Sequence, residues 1–111
     1  MYKILLRSEW ENAVSAGSYR GSTDDRRDGF IHFSTAEQLQ GTAAKFFRDQ
    51  SNLLLVSFEA HALGEKLVWE PSRGGALFPH LYADLPTEAA LEIVALELGA
   101  DGVPKIPEGL R

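Results

Sequence analysis

Residues 87–98 have the sequence TEAALEIVALEL, and the fold class depends on whether they form a strand or a helix. A helical stripe is present at Leu91, Val94, Ala95 and Leu98, and Ala and Glu favour helices. The following Asp101-Gly102 argues for a strand, because this dipeptide is a strong hairpin signal and residues 103–106 would form the returning strand. We therefore predict a strand in residues 87–98, with a helix as the alternative.

Apolar runs earlier in the chain predict most of the remaining strands. They lie at residues 2–6, 30–33, 53–59, 67–70 and 80–83. The resulting order is β-α-β-α followed by several strands, which differs from the regular alternation of a doubly wound sheet. The sequence therefore predicts an α+β fold, with residues 1–111 as a single domain.

Capping signals predict two helices, over residues 8–17 and 34–49. Each begins with a capping box, formed by Ser8 with Glu11 and by Ser34 with Glu37. Gly17 stands where the glycine that ends a helix is expected. Residues 18–29 are rich in Gly, Ser and Asp, and we predict a polar loop there. Loops of this length in a small domain more often have a function than not.

Composition excludes several functional classes. Eleven Lys and Arg against sixteen Asp and Glu leave a net charge of −5, which is untypical of a general nucleic-acid-binding domain. The chain has no Cys, so disulfides, thiol catalysis and thiolate zinc sites are excluded. The first apolar run is too short for a signal peptide or a membrane span, so we expect a cytoplasmic protein without membrane association.

The first candidate site is the strand that contains His32. Alternation along a strand places Phe30, His32 and Ser34 on one face. His32 then lies beside the predicted start of the next helix, where free N–H groups favour phosphate or carboxylate. The alternative is a histidine hydrogen-bonded at a strand end, above an ordinary helix cap.

The second candidate site surrounds a Gly-rich loop, with polar and aromatic residues concentrated in residues 69–82: Trp69, Glu70, Arg73, His80 and Tyr82. Gly74-Gly75 would allow a ligand to approach the backbone, and Arg73 is suited to a phosphate or carboxylate. The alternative is a loop whose aromatic residues complete the core, with an ordinary surface ion pair between Glu70 and Arg73. His61 follows a strand end and is expected to be exposed, so we expect no metal site.

These stretches together resemble a family of small bacterial proteins known as domain of unknown function 952. The resemblance extends over nearly the whole chain and rests on these pieces: Gly21-Ser22, Asp28 to Ser34, Gln38, Trp69-Glu70 and Phe78 to Tyr82. By fold, that family is grouped with the ADP-ribosyltransferases. The resemblance thus implies a split, strongly bent, mostly antiparallel sheet with two helices and a cleft for NAD.

The resemblance also implies roles for individual residues. His32 and Ser34 look like the pair that contacts the ribose next to nicotinamide, with Phe33 between them where Gly is usual. Glu70, His80 and Tyr82 are the available equivalents of the later site residues. Gln38 belongs to the family pattern and is counted with Trp69 and Arg73 as ligand-binding.

Three functions remain open at this point. The chain is an enzyme acting on NAD or an ADP-ribosyl-like phosphate ester, with His32, Glu70 and His80 as catalytic residues. Alternatively, it is a non-catalytic module that binds a nucleotide or another small anion, or a domain that binds a protein partner. The expected ligand is a small anion or nucleotide, with NAD as a substrate and no metal, and the oligomeric state is left open.

Overall fold

The strands assemble into two antiparallel three-stranded sheets and one short strand pair. The computed structural model describes residues 1–110, except for the side chain of Arg73. The strands are β1 (Tyr2–Leu6), β2 (Ser18–Tyr19), β3 (Ile31–His32), β4 (Leu53–Ser57), β5 (Leu67–Pro71), β6 (Leu77–Leu81), β7 (Leu85–Pro86) and β8 (Glu92–Leu96). The α-helices are α1 (Arg7–Ala16), α2 (Thr23–Asp28) and α3 (Leu39–Phe46), and short 3-10 turns occupy Ala60–Lys66, Arg73–Gly75 and Thr87–Ala89.

The two larger sheets meet at β1. Their strand orders are β1-β4-β8 and β3-β6-β5, and β2 pairs with β7. The backbone of Tyr2 exchanges two hydrogen bonds with Ser34, of 2.8 and 2.9 Å, just beyond the end of β3. This bridge connects the sheets side by side and places the end of β3 next to the start of β1. The α+β class and the antiparallel sheets predicted from the sequence are confirmed.

Two apolar clusters cover the faces of the β1-β4-β8 sheet. Because side chains alternate along β4, Leu54 and Val56 pack with Trp10 of α1, whereas Leu53 and Leu55 pack on the α3 side. A sheet covered on both faces explains why β4 is an almost continuous apolar run.

The strand predicted within residues 87–98 is confirmed over residues 92–96, whereas residues 87–89 form a 3-10 turn. The confirmed strand is β8, which pairs antiparallel with β4 and places Ile93 opposite Val56 and Val94 opposite Leu55. The helical stripe in this segment is overridden, because pairing with β4 satisfies the backbone and extends both apolar faces of the sheet. The returning strand predicted over residues 103–106 is reduced to one bridge between Leu98 and Pro104.

Three further local predictions are wrong. Residues 18–29 are not a loop, since they contain β2 and α2. Helix α1 begins at Arg7, before Ser8, and its N-cap Leu6 has no side-chain hydrogen bond. The predicted capping box of Ser34 with Glu37 is absent; the reciprocal bonds run one residue later, between Thr35 and Gln38, at 3.0 and 3.3 Å. Gly17 ends α1 with φ 87°, as predicted.

Candidate functional site

A pocket of about 300 Å³ opens between α2, α3 and the end of the β3-β6 pair. This volume lies at the lower end of small-molecule sites in proteins, which are roughly 300–1,000 Å³. Charged and ionisable side chains line one part of it: Lys3, Asp24, Asp25, Arg27, Asp28, His32 and His80. Aromatic side chains line another part: Phe46, Phe47 and Phe78. The pocket is therefore suited to a ligand with one polar and one flat apolar part.

The two histidines lie directly opposite each other on neighbouring strands. His32 of β3 pairs in register with His80 of β6, so both side chains are on one face of the sheet. Their ring centroids are 5.4 Å apart, in an edge-to-face arrangement. The structure thus brings together two residues that the sequence places in separate candidate sites.

Both ring nitrogens of His32 contact carboxylates. Nδ1 lies 2.6 Å from Oδ1 of Asp25, and Nε2 lies 3.0 Å from Oδ2 of Asp28. The Asp25 side chain is buried, whereas the Asp28 side chain is one-third exposed. Asp25 therefore fixes the orientation of the ring, and Asp28 occupies the nitrogen that faces outward.

Asp25 is the centre of a buried polar cluster. Nζ of Lys3 lies 3.0 Å from Oδ2 of Asp25 and also donates to the carbonyl of His32 at 2.9 Å. The backbone N–H groups of Ser22 and His32 donate to the same carboxylate. Burial raises the pKa of Asp25, but the hydrogen bond from His32 and the charge of Lys3 outweigh it and hold this pKa well below its usual range.

His80 is held by a carboxylate on the adjacent strand. It is 4% exposed, and its Nδ1 lies 2.8 Å from Oε1 of Glu70, to which Tyr82 also donates at 2.7 Å. Phe30 stacks on the ring at a centroid distance of 4.0 Å. The hydrogen bonds from Tyr82 and His80 lower the pKa of Glu70.

This contact fixes the tautomer of His80. An ionised carboxylate only accepts hydrogen bonds, so Nδ1 of the neutral ring carries the proton and Nε2 has a lone pair. Because His80 lines the pocket and its Nε2 has no hydrogen-bond partner among the described residues, this nitrogen is available to accept a proton from a ligand.

Ser34 and Gln38 have different environments from those predicted. The hydroxyl of Ser34 is buried in the pocket wall and lies 2.9 Å from the hydroxyl of Thr42 on α3. Gln38 donates to the carbonyl of Leu77 at 2.7 Å and so joins the start of α3 to β6. Gln38 supports the wall of the pocket without lining it.

Trp69 is separated from the histidines. Trp69 lies opposite Pro79, and its neighbours Val68 and Glu70 lie opposite His80 and Phe78. Because side chains alternate along a strand, the side chain of Trp69 is on the other face of the sheet from His80. Trp69 is 44% exposed there and is not part of the pocket. The side chain of Arg73 lies outside the described part of the structure, although its neighbour Ser72 lines the pocket.

Lys3, Asp25 and Asp28 were not predicted as site residues. In the sequence, nothing about a lysine in a short apolar strand and three aspartates in a polar segment indicates that these residues are close in space. One signal was present in the spacing of Ser22 and Asp25, which form a capping box at the start of α2. Gly21 is a second signal, because any larger residue at this position would clash with Asp25: its Cβ would lie 2.7 Å from the Cβ of Asp25.

Two further properties of the described residues concern metal binding and membrane crossing. Within residues 1–110, no group of three or more His, Asp or Glu side chains is placed to hold a metal ion. In the same range, no helix has the length and apolar character needed to cross a membrane.

The comparisons with known proteins agree with this arrangement of the chain. A family model described as "Protein of unknown function (DUF952)" matches residues 4–93. The crystal structure of protein CC0527 from Caulobacter crescentus is 55% identical, with a TM-score of 0.92, over 94% of this chain and 91% of that one. No curated protein gives a significant match.

Two other structures of CC0527 are also similar. A crystal structure of a double mutant is 54% identical, with a TM-score of 0.91, over 94% of this chain and 91% of that one. The solution NMR structure is 55% identical, with a TM-score of 0.84, over 94% of this chain and 90% of that one. The predicted resemblance to the family known as domain of unknown function 952 is confirmed.

Proposed function

The chain belongs to the family described as protein of unknown function DUF952, and we propose that it is an enzyme acting on a nucleotide of the NAD or ADP-ribosyl type. The observation that carries the proposal is the contact of 2.8 Å between Nδ1 of His80 and Glu70, which leaves Nε2 as a base in the pocket. The predicted resemblance to ADP-ribosyltransferases supports the choice of ligand.

The proposed ligand places its reacting ribose between the histidines. A ribose hydroxyl takes the position at Nε2 of His32 that Asp28 now occupies at 3.0 Å. The nicotinamide ring lies against the aromatic part of the pocket, where Phe47 and Phe78 are suited to stack on it. Since the pocket holds only part of a dinucleotide, the pyrophosphate extends outward, and Arg73 is its proposed partner on grounds of charge.

His80 acts as the general base in this proposal. Nε2 takes the proton from the hydroxyl of an acceptor, in the simplest case water, whose oxygen forms a bond to the anomeric carbon of the ribose. The bond from that carbon to nicotinamide breaks, and nicotinamide leaves as a neutral molecule. Glu70 stabilises the imidazolium that forms, and it acts through His80 without contacting the sugar.

A binding module without chemistry is the second candidate. Two observations favour it: Glu70 already accepts hydrogen bonds from His80 and Tyr82, and His32 contacts a carboxylate at each nitrogen. Both candidates require ligand binding, and only the enzyme requires turnover.

Titration of the isotopically labelled protein with NAD, and separately with ADP-ribose, tests ligand binding, which both candidates require. We expect chemical shift changes at His32, Ser34 and His80 that saturate below millimolar ligand. In His32→Ala these changes are lost, whereas His61→Ala, which alters an exposed histidine, retains them. Unchanged signals at millimolar concentrations of both ligands would reject the nucleotide assignment.

Asp28→Ala is expected to strengthen binding of ADP-ribose several-fold. The substitution removes the carboxylate that competes with the ligand for Nε2 of His32 and lowers the negative charge near the ligand. Asp24→Ala is the matched control, because Asp24 lies on the same helix and contacts Arg27 without contacting His32. Calorimetry of both variants distinguishes the two causes: an equal gain would mean that charge alone is responsible.

A further inference from the structure

One carboxylate bridges a histidine and an arginine in the outer part of the pocket. Oδ2 of Asp28 lies 3.0 Å from Nε2 of His32, and Oδ1 of the same side chain lies 3.1 Å from Nε of Arg27. All three residues line the pocket. The side chain of Asp28 is one-third exposed, and that of Arg27 is 66% exposed. A ligand group that displaces Asp28 from His32 therefore also loosens its contact with Arg27.

The histidine and the arginine do not depend on Asp28 in the same way. The ring of His32 stays in place without it, because Nδ1 is held by the buried Asp25 at 2.6 Å. Arg27 has one other contact, at 3.0 Å with the exposed Asp24, and such a surface ion pair is weak. A displaced Asp28 thus leaves a fixed imidazole nitrogen beside a guanidinium that is free to turn toward a ligand.

Among the described side chains that line the pocket, Arg27 is the cation that a ligand can reach. The other cation is Lys3, which is 8% exposed and bonded to Asp25 at 3.0 Å. Taking Lys3 from Asp25 would leave an uncompensated buried charge, which is costly. The guanidinium of Arg27 is accessible and matches the geometry of phosphate oxygens. Because the chain has a net charge of −5, an anionic ligand depends on such a local positive charge.

We propose that Arg27 binds the phosphate group that adjoins the reacting ribose, so that the pocket selects a nucleotide over a nucleoside. This inference rests on the proposed function, which places a ribose hydroxyl at Nε2 of His32. When that hydroxyl displaces Asp28, the guanidinium loses one carboxylate and gains the phosphate in its place. The long and exposed side chain of Arg27 can follow the phosphate as the ligand enters. Arg73 is left for the more distant phosphate of a dinucleotide.

Nicotinamide mononucleotide and nicotinamide riboside differ by this phosphate alone, so calorimetry of the whole protein with each of them tests the inference. We expect the mononucleotide to bind roughly tenfold more tightly, as is usual for a hydrogen bond between charged groups. In Arg27→Gln this preference should be largely lost through weaker binding of the mononucleotide, with little change for the riboside. Arg26→Gln is the matched control, because Arg26 has the same charge on the same helix and does not line this pocket.

Several results would overturn the inference. Equal binding of the two ligands by the wild-type protein would do so, as would a preference that Arg27→Gln keeps or that Arg26→Gln loses to the same extent. Absence of mononucleotide binding at millimolar concentration would also reject it. The proposed function falls with it only if NAD and ADP-ribose fail to bind as well, so the two failures are distinguishable.

Discussion

Asp25→Asn is expected to lower the free energy of unfolding by about 3–5 kcal/mol, which is the usual cost of removing one partner of a buried ion pair. The Lys3 and Asp25 side chains are 8% and 2% exposed and are joined at 3.0 Å. The amide keeps the size of the side chain but removes its charge, so the buried ammonium of Lys3 is left with neutral acceptors such as the carbonyl of His32. Denaturant unfolding of the two proteins measures the difference.

Asp24→Asn is the matched control for this loss. Asp24 is the preceding residue of α2, its side chain is 61% exposed, and its contact with Arg27 lies at the surface. A surface pair contributes roughly 0–1 kcal/mol, so Asp24→Asn should be nearly neutral. In the double variant Lys3→Met with Asp25→Asn, part of the loss should be recovered, because no uncompensated charge is buried. Equal losses in Asp25→Asn and Asp24→Asn would contradict this account of the cluster.

The same pair predicts a dependence of stability on acid. The pKa of Asp25 is lower in the folded protein than in the unfolded chain, so the unfolded chain binds a proton first as the pH falls. The stabilisation by Asp25 is therefore complete above the pKa of an unfolded aspartate, near 4, and is lost as the pH falls toward the folded value. In Asp25→Asn the free energy of unfolding should decline less steeply below about pH 4 than in the wild type.

Hydrophobic pattern predicts the strands well and fails for α2. β4 and β8 are apolar enough to be recognised, and the turn signal after β8 resolves its ambiguity. By contrast, α2 is a six-residue helix with the sequence TDDRRD, which has no apolar stripe. What stabilises it is the capping box of Ser22 with Asp25 and the burial of that carboxylate on Lys3. Periodicity cannot detect a helix whose buried side chain is charged.

The candidate site can be predicted only in part, because local sequence patterns do not show which strand faces coincide. Alternation along each strand puts His32 on one face of β3 and His80 on one face of β6, but only the register of the two strands shows that these faces coincide. The same alternation separates Trp69 from Glu70, its neighbour in sequence, and removes it from the pocket. Lys3 and Asp25 were missed because their meeting depends on the contact between β1 and the segment around α2, which no local pattern encodes.

His80→Ala is expected to reduce kcat for NAD hydrolysis by about 10²–10⁴-fold, the usual contribution of a general base, with little change in ligand affinity. Glu70→Gln should reduce it by a smaller factor, because the Gln oxygen can still accept the hydrogen bond from Nδ1 but carries no charge to stabilise the imidazolium. The release of nicotinamide, followed by chromatography, measures both variants, and His61→Ala serves as a control on an exposed histidine.

Added imidazole separates a catalytic loss from a structural one. In His80→Ala, free imidazole can enter the space left by the side chain and accept the proton, so we expect partial recovery of turnover; a variant that is merely misfolded does not recover. Ligand binding that survives in the wild type without any release of nicotinamide would reject the enzyme and leave the binding module. In that case the contact of 2.8 Å between Glu70 and His80 has a structural purpose, which is to accept the hydrogen bond of a buried imidazole on which Phe30 stacks.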